Sequence, residues 1–198
     1  MKIILDGMGG DNAPAEIVKD AVEAAEEIND EICIVGDPDA LKAELKKNKY
    51  KGDRITIEPA HDVITMHDSP VKAIRRKPDS SLVVGLNMVK DGKGDMFVSA
   101  GNTGALVVGA RLILGRIRGI DRPALASIYP DMTGGSPGLL VDAGASSESK
   151  ARNLLEYGLM GSIFIEKVWG RKDPRVGLVN LGAGESKGTS ITNDAYKM

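Results

Sequence analysis

Apolar and polar positions alternate in two distinct ways along the amino-terminal part of this chain. Residues 3–5 are a short apolar run that ends at Asp6, which predicts a buried strand. After a glycine-rich turn, Pro14 is placed to begin a helix, because proline is favoured at the first helical position. The apolar residues of that helix share one face: Ile17, Val18, Ala21, Val22, Ala25 and Ile28. This strand–turn–helix order is the pattern of a βα unit.

The same alternation continues through the chain. Residues 32–35, 55–57 and 95–98 are predicted strands, and helices are predicted after Asp37, over residues 69–89 with an interruption near Pro78, and over 105–114. Residues 123–129 and 138–141 are further strand candidates whose pairing could be antiparallel, followed by a helix over 150–168 and a buried strand over 175–181. No linker composition interrupts the 198 residues, so we expect one α/β domain over 1–198.

Composition narrows the class of protein. The 26 Lys and Arg against 28 Asp and Glu give a net charge of -2, which argues against a general nucleic-acid coat. A single Cys33, predicted in the core, excludes an internal disulfide and a cysteine-rich metal site. The first apolar run is too short for a signal peptide, and no stretch reaches the length of a membrane span. We therefore expect a cytoplasmic protein.

The first candidate site is the loop DGMGGDNAP at residues 6–14. Its glycines let backbone amides approach a ligand, and the helix that follows favours an anion at its amino terminus. Asp6 and Asp11 flank the turn, and they could hold a cation, orient a basic side chain or cap the helix together with Asn12. Capping and ligand binding remain equally open from the residues alone.

The second candidate site is the loop SAGNTG at residues 99–104, where a strand passes into a helix. Hydroxyl, amide and unhindered backbone donors cluster there, which is typical of an anion cradle. The loop lacks the lysine of a Walker A motif, and no dinucleotide-binding fingerprint occurs in the chain. A simple capped turn, with Gly101 supplying backbone geometry and Thr103 the cap, is the alternative.

Two cationic features complete the candidates. The third loop carries Glu185 and Lys187 between glycines; Lys187 could neutralise a phosphate or polarise a carbonyl, although exposed loop lysines are usually only solvated. A short helix carries a basic cluster that is either a solvated face or a docking surface for an acidic partner: Lys72, Arg75, Arg76 and Lys77. His61 and His67 have no third ligand at a metal-binding spacing, so we expect them at the surface.

Taken together, these segments resemble the PlsX family of phosphate acyltransferases. The resemblance runs over the whole chain in the family's order: DGMGGDNAP at 6–14, DSPVKAIRRK at 68–77 with Ser80 and Ser81, VSAGNTGAL at 98–106, RPALA at 122–126 and PRVGLVNLG at 174–182. It implies a three-layer α/β/α sandwich with a mainly parallel sheet, similar to the isocitrate/isopropylmalate dehydrogenase-like and phosphotransacetylase folds.

The resemblance also implies an activity: transfer of a fatty acyl group from acyl carrier protein to inorganic phosphate, giving acyl phosphate for phospholipid synthesis. It implies a homodimer and no cofactor or metal. On this hypothesis the phosphate is held by Ser99, Gly101, Asn102, Thr103 and Gly104. The other wall of the cleft comes from Asp6, Gly9, Gly10, Asp11 and Asn12, with Asp6 and Lys187 as catalytic residues. The basic cluster would dock acyl carrier protein.

Some features depart from the family's pattern. Ser146 and Ser149 stand where the family usually has Asn and a nearby Cys, and the loop after Gly182 is poorer in acidic residues. The family's chain normally continues well past Met198, so we expect the domain to be incomplete at its carboxyl end. Peripheral attachment to a membrane, a phosphotransacetylase-like reaction on a short acyl-CoA, and an inactive module that binds phosphate or acyl carrier protein all stay open.

Overall fold

The computed structural model describes residues 1–132, 135–144, 148–182 and 187–198. These residues form two compact units, Met1–Gly115 and Arg116–Met198. We call them the first and the second unit. The expectation of a single domain over 1–198 stays a prediction.

The first unit is built on a parallel sheet. Its four strands lie in the order β3-β2-β1-β4: β1 (Lys2–Asp6), β2 (Glu31–Gly36), β3 (Ile55–Pro59) and β4 (Met96–Val98). Ile4 lies opposite Cys33 of β2 and Phe97 of β4, so β1 is central. The carboxyl ends of β1 and β4 therefore meet at the same edge of the sheet, and each leads into a predicted site loop.

Helices cover both faces of this sheet. The first unit contains α1 (Ala15–Glu27), α2 (Pro38–Lys47), α3 (Pro70–Arg76), α4 (Ser81–Lys90) and α5 (Thr103–Gly109), which continues as a π-helical turn over Ala110–Leu114. Ile32 and Ile34 pack into one core cluster with α1 and α2, whereas Cys33 and Val35 pack into another with Met88 of α4. Because alternate residues of a strand point to opposite faces, these clusters lie on opposite sides of the sheet. The predicted three-layer α/β/α architecture is confirmed, and Cys33 is in the core as expected.

The second unit contains a two-stranded antiparallel ladder of β5 (Ala126–Tyr129) and β6 (Gly138–Val141), together with α6 (Ala151–Val168) and α7 (Ser190–Lys197). The sequence leaves the direction of this pairing open, and the structure shows it to be antiparallel. Gly161 lets α6 approach β6 closely, because a Cβ at this position would lie 3.0 Å from a methyl carbon of Val141.

Some predictions differ from the structure, and the strand expected over 123–129 begins only at Ala126. The buried strand expected over 175–181 is wrong, since no strand forms there and Val179 and Leu181 are each 81% exposed. A strand needs a neighbour for its backbone groups, and in the described part of the second unit the ladder consists of β5 and β6 alone. The helix expected over 105–114 begins two residues earlier, at Thr103, because Asn102 caps it. Across the described ranges, no helix has both the length and the apolar character needed to cross a bilayer.

Candidate active site

A short hydrogen bond joins the loops that follow β1 and β4. Ser99 Oγ donates to Asp6 Oδ2 at 2.7 Å, although the two residues are 93 positions apart. Asp6 is only 2% exposed, and its other oxygen, Oδ1, accepts the backbone N–H of Met8 at 3.2 Å. Ser99 Oγ in turn accepts the N–H of Gly101 at 3.1 Å. The structure thus brings Asp6, Ser99 and Gly101 together, as the sequence predicts for the two loops.

Gly9 lies where the two loops touch. A Cβ at this position would meet the carboxylate of Asp6 and would stand 3.0 Å from the backbone nitrogen of Gly101. Gly10, at φ +109°, turns the chain back over Ala100 in a conformation that glycine favours. Asp11 and Asn12 are exposed beyond this turn. Position 9 therefore has no room for a side chain, whereas position 10 favours glycine because of its backbone conformation.

Asn102 has a structural task in this site. Its side chain is 6% exposed, and Oδ1 accepts the N–H of Ala105 at 2.9 Å, which caps α5. Its Nδ2 donates to backbone carbonyls of the preceding segment, at 3.0 Å to Thr65 and 3.2 Å to Asp68. The side-chain amide of Asn102 is thus fully used inside the protein, and it fixes residues 65–68 against the second loop.

Residues 63–68 form a third wall that the sequence analysis missed. A cavity of about 220 Å³ lies between this segment and the opening loop, and it is lined by Met8, Gly10, Asp11 and residues 63–67. Asp68 Oδ2 accepts both the N–H and the hydroxyl of Thr65, at 2.7 and 3.0 Å. These bonds close a turn over residues 65–68, ahead of α3 and its N-cap Ser69, so the Thr-x-x-Asp spacing was the available signal.

Lys77, at the end of α3, holds residues 63–68 in place through two hydrogen bonds. Its Nζ donates to Asp68 Oδ2 at 2.7 Å and to the carbonyl of Val63 at 2.8 Å. The hydrogen bond from Lys77, with those from Thr65, lowers the pKa of Asp68 to about 2. Lys77 is therefore neutralised by Asp68, whereas the other members of the basic cluster, Lys72, Arg75 and Arg76, are exposed on α3.

The exposed donors of the second loop are at its far end. Thr103 and Gly104 are exposed in the first turn of α5. Backbone N–H groups in the first turn of a helix have no helical partner. Neither the Thr103 nor the Gly104 N–H bonds to any residue that the structure describes. Pro70 packs against Gly104, where a Cβ would lie 2.7 Å from the proline ring.

Lys187 lies in the second unit. Its backbone carbonyl accepts from Asn180 Nδ2 at 3.3 Å, and it precedes Gly188 and the helix α7. Joint action of Lys187 with Asp6 stays a prediction. Glu185, of the same predicted loop, lies outside the described residues. His61 and His67 are exposed, as expected.

Comparison with known proteins agrees with the architecture and with the family that the sequence resembles. The family model described as "Fatty acid synthesis protein" matches residues 1–198. The chain is 51% identical over 198 residues to the phosphate acyltransferase of Alkaliphilus oremlandii, covering 100% of this chain and 58% of that protein. It is 51% identical over 199 residues to that of Heliobacterium modesticaldum, covering 100% of this chain and 59% of the relative. The chain thus spans under two thirds of the length of these relatives.

Solved structures show the same fold at low sequence identity. A phosphotransacetylase from Streptococcus pyogenes superposes with a TM-score of 0.67 at 20% identity, covering 93% of this chain and 59% of that one. The EutD phosphotransacetylase from Staphylococcus aureus gives a TM-score of 0.63 at 19% identity, covering 100% and 62%. Since a family model and relatives of about half-identical sequence span its whole length, the chain belongs to the PlsX family of phosphate acyltransferases.

Proposed function

We propose that this protein transfers a fatty acyl group from acyl carrier protein to inorganic phosphate, giving acyl phosphate for phospholipid synthesis. The observation that carries the proposal is the Ser99–Asp6 hydrogen bond. It joins two glycine-rich loops at the carboxyl edge of a parallel sheet, which is where α/β proteins place their ligands. The phosphate acyltransferase names of the half-identical relatives supply the reaction class.

The phosphate is held by the far end of the second loop. The hydroxyl of Ser99 already donates to Asp6, and the amide of Asn102 is used by residues 65–68, so both act as positioning residues. The backbone N–H groups of Thr103 and Gly104 and the Thr103 hydroxyl supply the donors. Asp6 does not contact the phosphate in this proposal, because its buried carboxylate would repel the anion. It acts indirectly, by accepting the hydrogen bond that orients Ser99.

The reaction needs no covalent enzyme intermediate. An oxygen of the phosphate dianion attacks the thioester carbon and forms the new C–O bond, and the C–S bond breaks to release the thiolate of the carrier. The proton of the bound hydrogen phosphate finally passes to that sulfur, so atoms and charge balance. Because nucleophile and leaving group are both competent near neutral pH, positioning and stabilisation of the tetrahedral oxyanion are the protein's contribution.

Lys187 is the proposed source of that oxyanion stabilisation. Replacing it by Ala should lower kcat about 100-fold, the usual effect of losing one preorganised donor. The free energy of unfolding should change little, because this part of the chain is exposed. Lys172→Ala, a lysine of the same unit outside the predicted site, is the matched control. Near-normal turnover of Lys187→Ala would remove this lysine from the mechanism.

Docking of acyl carrier protein is assigned to the exposed part of the basic cluster. Lys72 and Arg75 lie on α3 without a carboxylate partner among the described residues. Reversing both charges to Glu should weaken binding of acyl-ACP, and by more at low than at high salt, because salt screens exposed charges. Lys42→Glu, an exposed change on α2, is the control. An unchanged salt dependence would argue against this docking surface.

The deciding experiment is phosphate-dependent loss of long-chain acyl-ACP, with acyl phosphate detected by mass. Product from the folded 198-residue chain, lost in Asp6→Ala, supports the proposal. Turnover of acetyl-CoA alone would favour the phosphotransacetylase-like reaction, and binding of acyl-ACP without any product would favour the inactive module. The same proposal includes a homodimer, and light scattering tests this oligomeric state. It also includes a location in the cytoplasm, peripheral to the membrane.

A further inference from the structure

The cavity beside the opening loop has a largely apolar lining. Its volume is about 220 Å³, and half of its lining residues carry apolar side chains: Met8, Val63, Ile64 and Met66. Ile64 is only 5% exposed and belongs to the core cluster that includes Ala105 of α5. The apolar lining is therefore continuous with the hydrophobic core of the first unit.

The two methionines make this lining adaptable. Met8 is half-buried and lies against the last residue of β2, since a Cβ at Gly36 would stand 2.7 Å from the Met8 Cγ. Met66 is 51% exposed, although its backbone carbonyl accepts Asn102 Nδ2 at 3.4 Å. The backbone of Met66 is thus held in place while its side chain stays in contact with solvent. Methionine is flexible and polarisable, so it suits surfaces that receive apolar groups of variable shape.

Polar groups in the cavity wall already have partners. The N–H and the hydroxyl of Thr65 donate to Asp68 at 2.7 and 3.0 Å, and its carbonyl accepts Asn102 Nδ2 at 3.0 Å. The N–H of Met8 donates to Asp6 at 3.2 Å. A ligand that buried amide or hydroxyl groups here would find these partners taken, which costs free energy, whereas a hydrocarbon needs none.

The cavity lies next to the donors assigned to phosphate. Asn102 holds residues 65–68 and directly precedes the two exposed donors of the second loop. On the other side of the cavity, Gly10 lies over Ala100 of the same loop. Asp11 also lines the cavity, and its exposed carboxylate disfavours a second anion there. The occupant that fits is therefore an uncharged, apolar part of the acyl donor, bound beside the phosphate.

We propose that this cavity binds the acyl chain of the donor through the carbons nearest the thioester, with Met8 and Met66 as specificity-determining residues. The inference rests on the proposed acyl transfer, because it assigns a place to the apolar part of that substrate. A water molecule takes up about 30 Å³ in the liquid and a methylene group is of similar size, so the volume accommodates roughly seven carbons. Longer chains continue past the exposed side of Met66.

The test uses S-acetyl-, S-butyryl-, S-hexanoyl-, S-octanoyl- and S-decanoyl-pantetheine as probes, in a buffer free of phosphate so that no acyl transfer occurs. Methionine methyl NMR signals report binding, with Met8 and Met66 in the lining and Met96, at the start of β4, as a reference outside it. Met66→Glu places a charge in the lining, whereas Met66→Leu keeps it apolar. Met132→Glu, at a side chain that is 92% exposed in the second unit, is the matched control.

We expect saturable shifts of Met8 and Met66 but not of Met96. Affinity should rise by up to about fourfold with each added methylene group and level off near S-octanoyl-pantetheine, where the cavity is full. Met66→Glu should weaken binding of that probe at least about tenfold, because its charge opposes burial of the alkyl chain. Met66→Leu and Met132→Glu should bind it normally. Equal affinity for the acetyl and octanoyl probes, or undiminished octanoyl binding by a folded Met66→Glu variant, would overturn the proposal.

Failure of this inference and failure of the proposed function give different results. Chain-length-dependent shifts of Met8 and Met66 without any acyl phosphate in the deciding experiment would retain the binding site and remove the reaction. Formation of acyl phosphate without shifts of these two methyl groups would retain the reaction and remove the cavity as the place of the acyl chain.

Discussion

Replacing Asn102 by Ala tests whether this side chain holds the site together. The change removes the cap of α5 and the donors to the carbonyls of Thr65 and Asp68. Loss of an Asn cap costs about 1 kcal/mol. Leaving these partly buried acceptors unpaired adds about 1–3 kcal/mol, with the lower value applying where water can replace the donor. We therefore expect the first unit to lose about 2–4 kcal/mol of stability.

Two further variants separate these contributions. Asn102→Ser retains a capping oxygen but removes the donors, so it should recover about 1 kcal/mol relative to Asn102→Ala. Asn87→Ala is the matched control, because Asn87 lies on α4 and its side chain makes one hydrogen bond, 2.9 Å to the carbonyl of Val83. We expect that control to cost under about 1 kcal/mol.

Native-state hydrogen exchange is the appropriate assay. The chain's one Trp, Trp169, lies in the second unit, whereas the substitution is in the first. Exchange resolves the amides of α5 and the sheet strands individually and measures the free energy of their opening. A loss below about 0.5 kcal/mol in Asn102→Ala, or equal losses in Asn102→Ala and Asn87→Ala, would refute this reasoning.

Two other predictions concern the same site. Asp68 has a pKa of about 2, below the ordinary value of about 3.9. Its contribution to stability is therefore fully present above about pH 4 and is lost as the pH falls from about 4 to 2. Lys77→Met should raise the pKa of Asp68 and flatten this acid dependence, which carboxyl NMR and acid unfolding measure; an unchanged pKa would contradict the assignment. Gly9→Ala should cost about 1–3 kcal/mol and most of the activity, because the methyl group meets Asp6. Gly177→Ala, where nothing lies within 4 Å, should be neutral, and equal effects of the two changes would contradict the steric argument.

Local patterns predicted most of the first unit. The apolar face of α1 and the runs of β1 and β2 are encoded within a few consecutive residues, and each lies where its periodicity placed it. The site loops were also identified from local chemistry, since glycines and short polar side chains between a strand and a helix are a contiguous signal. The family followed from these motifs, and the comparisons confirmed it.

Tertiary structure decided what depends on partners distant in sequence. The Ser99–Asp6 bond exists because β4 pairs with β1, and no local pattern specifies which strands become neighbours. The same reason explains residues 63–68, whose place in the site depends on Asn102 and Lys77. It also explains residues 175–181, where the apolar pattern suited a strand but no neighbour satisfies the backbone among the described residues. The periodicity of apolar residues predicts which face of a helix or strand is buried. Hydrogen bonding between distant elements decides which other elements pack against that face and which loops become neighbours.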